Sequence, residues 1–409
     1  MRILLLNQTF FPDVASSGQH LTDLALGLAE RGHQVTVVTS RRAYDDPRKL
    51  FQRRETWQGI RIFRILNSGL GKQAKWRRAA DFGTFMLSCC FRLALLPKSD
   101  VVVAMTSPPL ISFIGALYAR FPGSKLCYWV MDLNPDEALA AGWLSPGSLP
   151  ARCLERLSRF SFHQASAVIA LDRFMQQRIV AKGIQLDKTC AIAPWSHDSE
   201  VRFDPEGRVR FRKAHGLDGK WVVMYSGNHS PCHPLDTVLQ AAQKMAGNSE
   251  VAFCFIGGGS EFNRVKKFAQ DHRLANVLCL PYQPISHLAA SLSAADVHLV
   301  VMGEPFVGII HPCKLYNVIR VGSPLIYIGP TPSHISEVLG QIDGHAQWRA
   351  AAHGQADLVI RHILEIKQSM PRGARAQPAP VLEAFSKNTL LPQLIAVLES
   401  RGASRGHSV

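Results

Sequence analysis

The sequence predicts an α/β protein with two doubly wound domains, each a parallel sheet covered by helices on both faces. Short apolar runs alternate with helix-period patterns along most of the 409 residues, and strands separated by helices form parallel sheets. Apolar residues make up 47% of the chain, which is enough to bury a full core. The alternation pauses once, near residue 200, so we expect two domains of similar size.

The first domain is predicted to cover residues 1–200. It opens with a strand at Arg2–Asn7, a helix at Gly18–Arg31 and a strand at Val35–Thr39. The apolar run after Arg2 is too short for the core of a signal peptide. Further strands are predicted at Val101–Met105, Leu126–Met131, Val168–Leu171 and Ala191–Pro194.

The second domain is predicted over residues 201–380, after a polar, basic pause at Ser196–Gly219. Its strands are expected at Trp221–Ser226, Val251–Ile256, Val277–Leu280, Val297–Val300 and Leu325–Ile328. Helices are expected between them at Leu235–Met245, Glu261–Gln270, Leu288–Ala294 and Cys313–Arg320. The Pro-, Arg- and Ala-rich segment Ser369–Pro380 is predicted to be a linker. Residues 381–409 then form a helix near Leu390–Glu399 and a frayed tail.

Basic residues outnumber acidic ones, 46 to 31, which gives a formal charge of +15. Such a charge fits nucleic acid, an anionic membrane surface or phosphorylated small molecules. The basic clusters are Arg41–Arg54, Lys72–Arg78 and Arg202–Lys213, and none resembles a nucleic-acid-binding module. Nine Cys without a Cys-x-x-Cys pair argue against a zinc ribbon and fit a reducing cytoplasm.

The second basic cluster contains Trp76 and runs directly into the apolar segment AADFGTFMLSCCFRLALL. That segment carries Asp81 and Arg92, and its length is borderline against the roughly 20 apolar residues of a membrane span. Two interpretations stay open: a buried amphipathic helix, or a helix resting on a membrane surface.

A possible anion site follows the first strand of the second domain, in the segment YSGNHSPCHPLDTVLQ. A strand that leads into a helix N-terminus points free backbone amides at the loop, and Asn228, His229 and His233 could add side-chain donors. An ordinary turn with Asp236 in the first helical turn is the alternative.

The next loop has three glycines, Gly257, Gly258 and Gly259, which let a backbone approach a ligand closely. The loop does not match the glycine pattern of a dinucleotide-binding site.

Residues 300–330 place Glu304, Gly308, Lys314 and Asn317 around a loop that enters a helix. A carboxylate and an amide can bind sugar hydroxyls, while the Gly308 amide, the helix N-terminus and Lys314 can hold a diphosphate. This set suits a nucleotide-sugar. A solvated loop carboxylate is the alternative for Glu304.

Asp132 lies at the end of an apolar strand, in a Trp-Val-Met-Asp run. A carboxylate there could orient an acceptor hydroxyl or stabilise positive charge in a transition state. One alternative is that Asp132 caps the segment starting at Pro135. The other is that Asp136 and Glu137, instead of Asp132, have these roles in the reaction.

Four stretches, spread over three parts of the chain, resemble the retaining GT-B glycosyltransferases of family 4, in the exopolysaccharide and O-antigen branch. They are the opening loop and helix at the N-terminus, the segments AMTSPPLISFIGALYAR and WVMDLNPDEALAAGWL in the middle, and the segment PCKLYNVIRVGSPLIYI in the second domain. The resemblance covers nearly the whole chain. It implies two Rossmann-like domains that face each other across a cleft, an N-terminal one for the acceptor and a C-terminal one for the nucleotide-sugar.

The resemblance also implies a function. The protein is expected to transfer a hexosyl or N-acetylhexosaminyl group, with retention, from a nucleotide-sugar to a lipid-linked glycan in surface polysaccharide synthesis. It is expected to be cytoplasmic, peripheral at the inner face of the cytoplasmic membrane and bound to its anionic surface, with no nucleic-acid partner, no metal and no cofactor. Asp132 and Glu304 are the expected catalytic residues, and Asp132, Asp136 and Glu137 are expected to bind the acceptor. The expected donor-binding residues are Gly18, Asn228, His229, His233, Gly257, Gly258, Gly259, Gly308, Ile309, Lys314, Leu315 and Asn317.

Two departures from the family pattern concern the donor site. Asn228 and His233 stand where the family commonly has Arg and Lys, and Asn317 stands where a Glu usually holds the ribose. We therefore expect Lys314 to supply the charge for the diphosphate. If His233 must be protonated to help, its contribution should grow as pH falls through about 6.5.

Three other functions remain open at this stage. A nucleotide-sugar 2-epimerase shares the fold, and a nucleic-acid-binding protein would explain the charge. The departures also leave room for a catalytically inactive partner subunit that still binds a nucleotide-sugar.

Overall fold

The computed structural model describes residues 1–13, 15–44, 46, 48–70, 75–120, 123–195, 201–342, 348–375 and 381–403. The chain divides into two compact units. The first consists of Met1–Pro194, Gly308–His311 and Asn388–Val409, and the second of Trp195–Val307 and Pro312–Lys387. The predicted domain boundaries, after residues 200 and 380, each fall at the end of a segment outside the described residues.

The first unit contains an eight-stranded sheet in the order β3-β4-β2-β1-β5-β6-β7-β8. All neighbours pair in parallel except β3 and β4, which are antiparallel. The strands are β1 (Arg2–Leu6), β2 (Gln34–Ser40), β3 (Arg54–Trp57), β4 (Ile60–Ile65), β5 (Val101–Ala104), β6 (Lys125–Trp129), β7 (Ala165–Ala170) and β8 (Thr189–Ala191). The helices between them are α1 (Ser16–Glu30), α2 (Lys75–Ala94), α3 (Ile111–Ala119), α4 (Asp136–Ala140), α5 (Leu149–Gln164) and α6 (Arg173–Ala181).

The second unit contains a six-stranded, fully parallel sheet in the order β11-β10-β9-β12-β13-β14. Its strands are β9 (Trp221–Asn228), β10 (Val251–Gly258), β11 (Val277–Leu280), β12 (Val297–Val301), β13 (Leu325–Ile328) and β14 (Trp348–Ala351). Its helices are α7 (Pro205–Ala214), α8 (Asp236–Lys244), α9 (Phe262–Asp271), α10 (Leu288–Ser293), α11 (Lys314–Val321), α12 (His334–Gly340), α13 (Ala356–Ser369) and α14 (Val381–Ala384). The predicted α/β class with two parallel-sheet domains is confirmed.

The last helix, α15 (Lys387–Ala403), returns the chain to the first unit. Leu394, Ile395 and Leu398 are buried. Glu399 pairs with Arg31 at 3.0 Å and with His33 at 2.9 Å, both just after α1. The first unit is therefore built from both ends of the sequence.

The sequence analysis missed the β3–β4 hairpin. RETW has one apolar residue and IRIFRI contains two arginines, so both strands lack the continuous apolar run of the inner strands. Gln58 and Gly59 connect the strands, both with positive φ (48° and 77°), as a tight hairpin turn requires.

The sequence analysis predicted that the alternation of strands and helices stops in the polar segment Ser196–Gly219. This prediction is wrong for Pro205–Ala214, which form helix α7. Asp204 caps α7, because its side chain accepts a hydrogen bond from the Gly207 amide at 2.8 Å. Arg208 and Arg212 point inward and pair with the buried carboxylate of Asp296. This part of the third basic cluster is structural and is not a solvated surface.

The apolar segment after Trp76 forms the 20-residue helix α2. Within the described ranges, no helix combines the length and the apolarity that crossing a bilayer requires. In the basic cluster beside it, Lys72 lies outside the described residues, as do the side chains of Lys75 and Arg78. The guanidinium of Arg77 lies 5.4 Å from the ring centre of Trp76.

Candidate active site

The glycine loops of the second unit hold two strand ends together. Gly227 at the end of β9 pairs with Gly257 in β10. A Cβ atom on Gly257 (φ +142°) would overlap the Gly227 carbonyl, and one on Gly259 (φ +122°) would overlap Asn228 and the His229 carbonyl. The glycines are therefore required for packing. Their predicted contact with a ligand stays a prediction.

Lys314, the first residue of α11, reaches the loop after β9. Its Nζ donates a hydrogen bond to the Tyr225 hydroxyl at 2.6 Å and lies 4.2 Å from the centre of that ring. The Tyr225 hydroxyl in turn donates to the Asn228 carbonyl at 2.7 Å. Burial lowers the pKa of Lys314 to about 7. Among the described residues no carboxylate pairs with this ammonium, so an anion beside it would be stabilised.

The two histidines of this loop are neutral at neutral pH. His233 Nδ1 donates to the Val301 carbonyl at 2.7 Å, and burial and the Lys314 charge hold its pKa well below 6.5. Burial and the same charge lower the pKa of His229 to about 4. The expectation that His233 gains charge near pH 6.5 is therefore wrong, because that titration lies at lower pH.

His229 is fully buried, and its Nδ1 donates to the Gly227 carbonyl at 3.1 Å. Its Nε2 has no hydrogen-bond partner among the described residues. In the neutral tautomer that Nε2 is an acceptor, so the ring can orient a donor group without adding charge.

The remaining donor-site candidates of the second unit lie at β12 and α11. Glu304 is exposed in a one-turn 3-10 helix, Glu304–Phe306, directly after β12. The Gly303 amide donates to the Cys232 carbonyl at 2.9 Å, which joins this loop to the loop after β9. In α11, Leu315 is buried and Asn317 is partly exposed, at the i+3 spacing that puts it on the same helix face as Lys314.

Gly308 and Ile309 belong to the first unit. A Cβ atom on Gly308 (φ +70°) would lie 2.6 Å from the Phe174 carbonyl in α6. The Ile309 carbonyl accepts a hydrogen bond from the Leu133 amide at 2.9 Å. Both residues thus have packing roles, and their predicted contacts with the donor stay predictions.

Asp132 lies three residues after the end of β6, with Glu137 nearby. Burial first, and then the negative charge of Glu137, raise the pKa of Asp132 to about 8. The cap of α4 is Pro135, with no side-chain hydrogen bond, so the alternative that Asp132 caps this helix is wrong. At neutral pH Asp132 is mainly protonated.

Asp136 has a structural partner. It pairs with the ammonium of Lys182 at 2.8 Å, and Lys182 also pairs with Glu155 at 3.0 Å. Glu137 accepts a hydrogen bond from the Asn134 amide at 3.4 Å. Of the other two predicted acceptor-site carboxylates, Glu137 is the one whose charge raises the pKa of Asp132.

Gly18 and His20 lie in the first turns of α1. A Cβ atom on Gly18 would lie 3.1 Å from Thr9, so this glycine allows close packing. His20 is buried, and its ring meets the edge of Trp129 in β6 at 6.5 Å. The sequence analysis missed His20, although a titratable residue on the apolar face of a predicted helix was the available signal.

Two tyrosines of the second unit were also missed. The sequence predicts that Tyr225 is a buried core residue of an apolar strand, and nothing in the sequence indicates its contact with Lys314. Tyr282 is exposed after β11, and its hydroxyl donates to the Gly258 carbonyl at 3.4 Å.

The fold matches solved structures along the whole chain. The crystal structure of Anabaena Alr3699/HepE in complex with UDP and glucose has a TM-score of 0.72 at 17% identity, covering 98% of this chain and 100% of that one. Sucrose-phosphate synthase from Thermosynechococcus elongatus has a TM-score of 0.77 at 14% identity, covering 99% and 100%. These neighbours have the GT-B fold.

Two families match the sequence. "Glycosyl transferase 4-like domain" matches residues 17–195, and "Glycosyl transferases group 1" matches residues 208–306. The chain is a GT-B glycosyltransferase. The glycosyltransferase is 24% identical over 366 residues to "Putative colanic acid biosynthesis glycosyl transferase WcaI" of Escherichia coli (strain K12), covering 85% of this chain and 88% of that protein. It is 27% identical over 244 residues to "Probable glycosyltransferase WbjE" of Pseudomonas aeruginosa, covering 60% and 61%.

Proposed function

We propose that this glycosyltransferase moves a hexosyl or N-acetylhexosaminyl group, with retention, from a nucleoside-diphosphate sugar to a lipid-linked glycan in surface polysaccharide synthesis. The name of its relative WcaI refers to colanic acid biosynthesis. A structural neighbour, HepE, was crystallised with UDP-glucose. Both support the proposed substrate classes.

The observation that carries the proposal is the ammonium of Lys314 at the carboxyl end of β9. Its hydrogen-bond partner is the neutral hydroxyl of Tyr225. A diphosphate in this loop would restore the charge that burial removes from Lys314. Because negative charge grows on the diphosphate as the glycosidic bond breaks, an ammonium there stabilises the transition state.

The other roles are assigned from position and charge. Asn317 follows Lys314 by three residues on α11 and is assigned to a ribose hydroxyl, and exposed Glu304 to a hydroxyl of the donor sugar. Asp132 has a pKa of about 8, and in its ionised form it accepts the proton of the acceptor hydroxyl or orients that hydroxyl. Tyr282 offers an exposed ring on which a nucleobase can stack.

The proposed reaction takes place at the inner face of the cytoplasmic membrane and uses neither a metal nor an organic cofactor. Turnover is expected to be unchanged by a metal chelator. A loss of turnover that added divalent cation restores would contradict this part of the proposal.

The test is product analysis. The purified protein is incubated with UDP-, GDP- and dTDP-sugars and with a lipid-diphosphate-linked acceptor, and the new linkage is determined by NMR. We expect one donor to give a glycosylated lipid whose anomeric configuration equals that of the donor. An epimerised free sugar without transfer would instead favour the 2-epimerase, and an inverted linkage would contradict retention.

A further inference from the structure

Helix α2 is fixed to the first unit by one face. Phe85, Cys89 and Leu93 are buried on that face. The buried carboxylate of Asp81 accepts hydrogen bonds from the Leu70 amide, at 3.0 Å, and from the Ser68 hydroxyl. These contacts hold α2 to the segment that follows β4.

The opposite face of α2 is apolar and exposed. The side chains of Leu87 and Phe91 are each 73% exposed, and Trp76 and Leu95 at the two ends are each 63% exposed. The exposed positions between them follow the helical repeat and are uncharged: Ala79, Gly83, Cys90 and Ala94. From Trp76 to Leu95 the stripe runs about 29 Å at 1.5 Å per residue. Exposed apolar surface of this extent usually marks an interaction site.

A cluster of arginines lies beside the second half of this stripe. The guanidinium carbons of Arg92 and Arg54 lie 5.0 and 5.7 Å from the ring centre of Phe63. Burial, and then the charges of Arg54 and Arg53, lower the pKa of Arg92. In the part of the chain that the structure describes, no carboxylate pairs with these three arginines, so their charge is uncompensated.

We propose that α2 lies in the plane of an anionic bilayer, with Leu87, Phe91 and Leu95 among the acyl chains and Arg53, Arg54 and Arg92 on lipid phosphates. The inference deepens the proposed function, on which it rests, by naming the surface that meets the lipid. Charge complementarity favours an anionic bilayer over a second copy of this protein as the partner of this surface. Anionic headgroups neutralise the arginines, whereas a second copy would add an equal set of unpaired guanidiniums.

The experiment is co-sedimentation with phosphatidylglycerol vesicles and with phosphatidylcholine vesicles. Leu87→Glu/Phe91→Glu should lower retention on both by at least about tenfold, since two inserted side chains become charged. Arg54→Gln/Arg92→Gln should lower retention on phosphatidylglycerol alone and weaken its dependence on salt. The control is Leu149→Glu, at a residue of α5 that is 80% exposed, and it should bind like the wild type.

Melting temperature, light scattering and turnover with a detergent-solubilised acceptor are measured on the same proteins. All three should be unchanged, because the replaced side chains are not buried and none of them has a role in the proposed site. Wild-type retention by Leu87→Glu/Phe91→Glu would overturn the proposal, and so would conversion of a wild-type dimer into a monomer by that variant. Vesicle binding by a protein that transfers no sugar would overturn the proposed function but would still support the binding of α2 to the bilayer.

Discussion

The ammonium of Lys314 donates a hydrogen bond to the hydroxyl of Tyr225, 2.6 Å away, and stacks above the same ring. The phenol is itself buried, and its hydroxyl donates a hydrogen bond to the Asn228 carbonyl. Neutral groups thus surround the Lys314 amine, and an anionic ligand beside it would favour its charged form. Asn228 and His233 stand where the family pattern has Arg and Lys, and we therefore propose that Lys314 supplies the charge for the diphosphate.

Replacing Lys314 with Ala should lower turnover by about 10²–10³-fold and weaken nucleoside diphosphate binding at the same time. The physical reason is the loss of positive charge beside the leaving group. Calorimetry and initial rates measure the two effects, with Lys213→Ala, an exposed lysine of α7, as the control. His233→Ala should do less, because that ring is neutral. Unchanged affinity and turnover in Lys314→Ala would make Lys314 an ordinary helix-start lysine.

Nucleoside diphosphate binding should take up protons. Free Lys314 has a pKa of about 7, and a bound diphosphate raises it, so affinity should fall as pH rises above about 7. The uptake is measured by calorimetry in buffers of different ionisation enthalpy. Lys314→Ala should bind without this uptake, and proton uptake that persists in the variant would assign it to another group.

The rate of transfer should rise with pH through about 8, where Asp132 loses its proton. Glu137→Gln removes the charge that helps to raise this pKa, so its profile should move to lower pH. Asp132→Asn should remove the ionisation and lower turnover by about 10²–10⁴-fold. An identical profile in Glu137→Gln would mean that Asp132 is not the group that titrates.

Asp132 should make the first unit less stable as pH rises. Its folded pKa of about 8 lies above the ordinary value of 3.8 for this side chain, so its contribution is fully present below about 4 and is lost as pH rises to about 8. Asp132→Asn should therefore gain stability over the wild type across that window in urea unfolding. The control Asp136→Asn removes an ion pair with Lys182 and should destabilise. A pH-independent difference for Asp132→Asn would disprove the raised pKa.

Glu304→Gln should lower turnover and leave nucleoside diphosphate affinity nearly unchanged. A carboxylate bonds a sugar hydroxyl most strongly when positive charge develops on the sugar, and Glu304 has no place in the proposed diphosphate site. Initial rates and calorimetry on the same preparation separate the two quantities. Wild-type turnover in the variant would remove Glu304 from the site.

The sequence was sufficient for the inner strands because parallel strands buried on both faces leave continuous apolar runs. It was insufficient for β3 and β4, where charged residues interrupt any apolar run, and for α7, whose buried Arg208 and Arg212 look like surface charge. In the site, Lys314 could be predicted from its place at a helix start. Its partner Tyr225 could not, because 89 residues separate the two and only the folded sheet brings them together.

The place of α15 has a consequence for synthesis on the ribosome. The second unit is continuous in sequence from Trp195 to Lys387, apart from the four residues Gly308–His311. The first unit, by contrast, needs Glu399 to pair with Arg31 and His33. The N-terminal part of the first unit therefore emerges before α15 and cannot complete its packing until the second unit and then α15 have been translated. The surface around α1 that α15 later covers stays exposed while the entire second unit is translated. During that time the nascent chain depends on its own solubility or on chaperones to avoid aggregation.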